Sequence, residues 1–205
     1  LIVIAVSGMY AQNPDSLLLK DYDPESVYNL PETHIPRAAY PVIDVHSHDY
    51  AANEKEVDQW VRIMDSAGIE KSIVLATATG AEFDSIVDRY SAYPDRFDIW
   101  CGIDYSGYKT EDWPAGAIEE LERCHAMGAK GVGELGDKGL GLFYCDPPAY
   151  GMHLDDERMK PILQKCAELD MPVNIHVADP YWMYLPMDAK NDGLMNAWKW
   201  KIDTT

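Results

Sequence analysis

The chain has 205 residues, 47% hydrophobic and 11% aromatic, which is enough for one sizeable core. Its formal net charge is −18, from 35 acidic and 17 basic residues. So large an acidic excess repels phosphate backbones and anionic lipid heads, and it excludes nucleic-acid binding and membrane-surface binding as expectations.

The first residues, LIVIAVSGMYAQ, hold an apolar run too short to span a bilayer, followed by small residues and then polar sequence from Asn13. This pattern reads as the end of a secretory signal peptide cut after Ala11, with residues 12–40 as a polar N-terminal extension. The expected location is therefore periplasmic or secreted, with no membrane association beyond export.

From Pro41 onward, strands and helices alternate. VIDVH (42–46) is the first strand, and Glu54–Ala67 carries Val57, Trp60, Val61 and Met64 at helical spacing before Gly68. KSIVLAT (71–77) is a continuous apolar run, as in a strand buried on both faces of a parallel sheet. Ala81–Tyr93 reads as a helix, FDIWCGI (97–103) as the third strand, Trp113–Met127 as a helix closed by Gly128, and AKGVGEL (129–135) as the fourth strand. A loop rich in Gly and Pro, Gly136–Gly151, precedes a predicted helix over Asp155–Leu169, with Asp155 or Asp156 as its cap, and then a fifth strand, MPVNIHV (171–177). Residues 178–205 read as a long loop running into one helix.

Units of this length suit βαβ crossovers and a parallel sheet. No Gly-rich phosphate fingerprint follows the first strand, so a dinucleotide-binding sheet fits less well than a (β/α)8 barrel of the TIM type. The expectation is that residues 41–205 form the first five βα units of such a barrel, its C-terminal part lying beyond Thr205.

Six histidines are present, and two of them end the first strand in PVIDVHSHD. Residues i and i+2 of a strand share a face, so His46 and His48, about 7 Å apart along the rise, can turn ring nitrogens toward one cation. His176 occupies the matching place on the fifth strand, and Glu134 ends the fourth between Gly133 and Gly136. Together they form a candidate metal site of His46, His48, His176 and Glu134, in which the carboxylate ligates or orients a histidine. His153, in the loop before the last predicted helix, is a candidate substrate contact. So are Tyr181 and Trp182, which follow the fifth strand. His34, His125 and Cys145 are weaker candidates; no base stands beside Cys145 to activate it. The four cysteines show no CxxC spacing.

IDVHSH on the first strand, a carboxylate ending the fourth and IHVADP on the fifth resemble the amidohydrolase superfamily. The resemblance is to its amidohydrolase-2 branch, which holds metal-dependent hydrolases and decarboxylases of the aminocarboxymuconate-semialdehyde and resorcylate types. It runs from Pro41 to about Ala197. It implies that His46, His48 and His176 bind a divalent metal, with zinc expected first and manganese or iron as alternatives. It also implies a strand-six histidine and a strand-eight aspartate, which no residue of this chain supplies. The expected activity is metal-assisted hydrolysis of an ester, lactone or amide in a small-molecule substrate. Decarboxylation of a small carboxylic acid and a non-catalytic barrel protein are the alternatives. Homo-oligomerisation is left open.

Overall fold

The computed structural model describes residues 16–34 and 38–195. They fall into two units, one spanning 35–177 and one pairing residues up to 34 with those from 178 onward. The signal-peptide reading of residues 1–11 lies outside the described residues. Among the described residues, no helix is long and apolar enough to cross a membrane.

The larger unit runs β1 (Val42–Ser47), α1 (Glu54–Ala67), β2 (Ile69–Leu75), α2 (Gly80–Tyr90), β3 (Phe97–Trp100), α3 (Trp113–Ala126) and β4 (Val132–Gly136). A short hairpin follows, β5 (Gly141–Leu142) with β6 (Ala149–Tyr150), then α4 (Lys160–Glu168) and β7 (Val173–His176). β1, β2 and β3 pair in parallel, as do β4 and β7. A parallel bridge from Cys101 to Val132 links β3 to β4, supported by Cys101 N–H to Gly131 O (3.0 Å) and Gly133 N–H to Cys101 O (2.9 Å). The long strands therefore lie side by side in chain order, β1-β2-β3-β4-β7. Among the described residues none of them reverses that order, as the switch point of a doubly wound sheet would require.

Local chemistry sets the helix limits. Asn53 Oδ1 accepts from Glu56 N–H (3.2 Å), and the Glu56 carboxylate accepts from Ala52 N–H (2.9 Å), a reciprocal cap that starts α1. Gly68, in the left-handed region at φ 74°, stops it. Val57, Val61 and Met64 face inward from α1, as do Phe83, Ile86 and Tyr90 from α2. β4 is buried along its whole length, as a strand covered on both faces must be.

Several elements are shorter than the sequence suggests, α2 ending at Tyr90 rather than Tyr93 and β3 at Trp100 rather than Ile103, and two expectations differ further. α4 begins at Lys160, not at Asp155. Pro161 has no N–H and clashes with the carbonyl four residues back, so it tolerates only the first turn of a helix. The Asp156 carboxylate is taken by Arg158, at 2.8 Å to Nε and 2.7 Å to Nη2. The Gly136–Gly151 loop, for its part, contains the β5–β6 hairpin, in which Leu142 and Ala149 pair and are buried.

The sheet is curled. Thr77 N–H, just past β2, donates to Gly133 O on β4 (3.2 Å), although β3 lies between those strands in the ladder. Gly102 N–H donates to Ala78 O (2.8 Å), and a Cβ at Gly102 would lie 2.2 Å from Thr77 O. Only glycine lets the chain ends draw in this closely.

The smaller unit has short 3-10 turns at Leu19–Asp21 and Tyr181–Tyr184 and a bridge between Glu25 and Asn191. Lys190 Nζ binds Asp23 and Glu25, each at 2.8 Å.

An ionic clasp joins α2 to α3. Arg123 reaches Glu120 (2.8 Å) and Asp84 (2.7 Å), and Glu120 Oε1 accepts Gly80 N–H (2.7 Å) at the start of α2. The Arg123 hydrogen bond, opposed by burial and aided by Gly80, brings the Glu120 carboxyl down to about 2 from 4.5. A folded-state value below the ordinary one stabilises the fold above the ordinary value, and that stabilisation is lost as pH falls through the lower one. Glu120→Gln should therefore lower stability by about 1 kcal/mol near neutral pH in urea titrations. Its deficit against wild type should shrink from pH 4.5 toward pH 2. A deficit independent of pH would show that the clasp does not perturb this carboxyl.

Candidate metal centre

β1 carries Asp44 and His46, and His48 follows its last residue, Ser47. The β1–β2 register slips between Asp44 and Ser47, so the pairing of the two imidazoles rests on their own geometry rather than on the strand's period. Asp44 anchors the strand: Oδ2 accepts from Ser72 Oγ (2.8 Å) on β2, and Oδ1 accepts from His46 N–H (3.2 Å). The His46 and His48 rings stand edge to face, with centroids 5.2 Å apart.

His48 Nδ1 lies 3.2 Å from Leu75 O, at the end of β2. A carbonyl oxygen can only accept, so Nδ1 carries a proton, and Nε2 is the nitrogen left to offer a lone pair to a cation. That Nε2 stands 3.7 Å from Glu134 Oε2, and His46 Nε2 stands 3.7 Å from Glu134 Oε1. A lone pair facing a carboxylate is unfavourable unless a proton or a cation sits between them.

Glu134 is 6% exposed. Its partners among the described residues are imidazoles: His46 and His48 at 3.7 Å, and His176, whose Nδ1 lies 2.6 Å from Oε1. A buried carboxylate needs compensating positive charge, which a cation held between it and the imidazoles would supply. The β4–β7 register, Leu135 with Ile175 and Gly136 with His176, places His176 beside the carboxylate.

His46, His48 and Glu134 each offer one ligand atom, and these lie within 4.8 Å of one another. Donors 2.1 Å from a tetrahedral zinc lie about 3.4 Å apart, so the 3.7 Å separations fit one divalent ion after small adjustments. Two imidazoles and a carboxylate make a three-ligand set that leaves a coordination position open. Of the four metal candidates from the sequence, His176 is placed on the carboxylate rather than within the ligand group.

Residues that the sequence reading did not single out complete the surroundings. The Tyr144 ring stands edge-on to His176 at 5.5 Å, and a Cβ at Gly136 would lie 2.2 Å from Tyr144 Cδ2. Gly136 therefore gives Tyr144 room beside the histidine. Tyr50 meets His48 at 5.9 Å, and the row continues through Trp60 (6.1 Å) to Phe97 (5.2 Å). No periodicity marks Tyr50 or Tyr144, because both lie in loops.

His153, expected as a substrate contact, pairs through Nδ1 with Asp137 Oδ2 (2.9 Å). Asp137 follows β4 directly, and its N–H donates to His176 O (3.0 Å). Burial alone would raise the Asp137 carboxyl, but hydrogen bonds from His153 and from Gly139 N–H hold it below the ordinary value. Tyr181 and Trp182 belong to the smaller unit. There Tyr181 is exposed, while Trp182 packs with Met187 and Leu194, its carbonyl accepting from Asn191 Nδ2 (2.9 Å). His125 lies in the last turn of α3, and all four cysteines are free thiols.

Comparison with known proteins agrees with this geometry. No curated protein matches the chain. A family model for amidohydrolases, Amidohydro_2, matches residues 32–199. That family is metal-dependent and has a TIM-barrel-like α/β fold, consistent with the parallel strands in chain order and with a His–His–Glu cluster at their ends. The chain belongs to the amidohydrolase family, in its amidohydrolase-2 branch.

Proposed function

We propose that the protein is a metal-dependent hydrolase that cleaves an ester, lactone or amide of a small molecule at the His46–His48–Glu134 centre. The observation that carries this reading is the buried Glu134 carboxylate, with two imidazole nitrogens 3.7 Å from its oxygens. His46, His48 and Glu134 would hold the ion, zinc in the first instance and manganese or iron otherwise. When bound, such an ion polarises a substrate carbonyl and makes water a nucleophile near neutral pH.

The chain's own residues do the rest. Leu75 O fixes the His48 tautomer so that Nε2 is the ligand atom. His176 steadies Glu134 through its 2.6 Å hydrogen bond. Asp137 orients His153, which can hold or pass a proton to substrate on the loop after β4. The sequential strand order and the curl support five strands of a closed (β/α)8 ring, with site residues at their C-terminal ends as in such barrels. Export to the periplasm or the exterior is part of the proposal and rests on residues 1–11 alone.

Elemental analysis of the purified protein should find close to one divalent ion per chain. The His46→Ala/His48→Ala double variant should lose most of it, and Glu134→Gln should bind about 10–100-fold more weakly. Full metal content in the double variant would end the assignment. Product analysis with a panel of esters, lactones, amides and aromatic acids should show ring opening or acyl cleavage. Carbon dioxide release without acyl cleavage would replace the hydrolase reading with a decarboxylase at the same centre.

A further inference from the structure

The segment that leaves β1, from His48 to Ala51, carries one candidate ligand and is held from two sides. On one side, His48 Nδ1–H donates to Leu75 O (3.2 Å), and Tyr50 N–H donates to His48 O (2.8 Å). On the other side, the last turn of α2 grips the next residue. Arg89 Nη1 lies 2.8 Å from Asp49 Oδ1 and 2.7 Å from Oδ2, and the same nitrogen donates to Ala51 O. Tyr90 Oη donates to Asp49 Oδ1 (2.8 Å).

The clamp is well buried. Asp49 and Arg89 side chains are each 20% exposed, Ala51 is 3% and Tyr90 is 2%. Burial and the Asp49 carboxylate hold the Tyr90 phenol far above its ordinary value, so it remains a donor at any physiological pH. Charge-assisted bonds of this kind, short and partly desolvated, are roughly twice as strong as neutral ones. Asp49 is the residue directly after His48, so whatever fixes its carboxylate also fixes the peptide on which His48 turns.

We propose that Arg89 and Tyr90 are positioning residues for the metal centre: by holding Asp49, they set the backbone at His48 so that its Nδ1 meets Leu75 O and its Nε2 meets the ion. This inference rests on the metal reading of the site. It assigns to the end of α2 a role that no ligand motif contains, since neither residue belongs to the His46–His48–Glu134 group. It also accounts for a tyrosine hydroxyl at a position that is otherwise core, where phenylalanine would pack as well.

The test is a zinc competition titration on the purified protein, run beside thermal melts. Tyr90→Phe keeps the buried ring and removes only the donor; Arg89→Lys keeps the charge but displaces the nitrogen that reaches both Asp49 oxygens and Ala51 O. Both folded variants should bind zinc about 10–100-fold more weakly than wild type, and the cobalt-loaded forms should show shifted d–d absorption. A role confined to stability would lower the melting temperature and leave affinity and spectrum within about threefold and unshifted, which would overturn the proposal. Should Arg89→Lys fail to fold, Tyr90→Phe decides alone. Wild type that binds no zinc, manganese or iron would sink the metal reading itself, and the clamp with it. Wild type that binds while both variants bind equally well would sink only the clamp.

Discussion

The curl of the sheet is the constraint on which the centre depends. β1 and β4 stand three places apart in the strand order, and in a flat sheet that is about 14 Å. Yet imidazoles from β1 lie 3.7 Å from a carboxylate on β4. Only a sheet bent back on itself lets them meet. The bend is built from backbone contacts, Thr77 to Gly133 and Ala78 to Gly102, and from a glycine where no side chain could fit. The fold and the site are thus one structure: the same close approach that curls the strands brings the ligand atoms together.

Burial makes that meeting consequential. In water, a carboxylate beside neutral imidazoles is of no account. Enclosed on β4, its charge needs compensation, and of the imidazoles that flank it His48 has its tautomer set by Leu75 O. A divalent cation meets this need with two nitrogens and an oxygen, leaving part of its coordination sphere for water or substrate. Which bond is then broken depends on what the surrounding loops admit, and the ligand set serves hydrolysis and decarboxylation alike. The loop after β4, carrying Asp137, Tyr144 and His153, supplies groups of that selecting kind.

Much of the fold could be read from residue order because its determinants are local. Asn53 and Gly68 bracket α1 at the expected residues, and Val57, Val61 and Met64 mark its inner face. His46 and His48 could be paired because they stand two residues apart where β1 ends, although the irregularity between Asp44 and Ser47 depends on β2 and left no mark in the sequence. The failures are equally physical. Pro161 outweighed the attractive cap at Asp155, which moved the start of α4. That Glu134 could orient a histidine was legible, but not that the histidine is His176, because this depends on the register between two strands about forty residues apart. Asp49 stood in plain view beside the histidines, but its partners Arg89 and Tyr90 lie on another helix. Spacing rules see faces of single elements; they do not see which faces meet.

The row of rings that begins at His46 has a consequence of its own. His48 touches Tyr50, Tyr50 touches Trp60, and Trp60 touches Phe97 in the core, each step between 5 and 7 Å. An indole therefore lies two neighbours from a candidate ligand, inside the range over which ring contacts alter excited states. Trp60 is one of six tryptophans, and the share of the ultraviolet emission that a Trp60→Phe variant removes offers a label-free way to watch the histidines respond to an arriving ion.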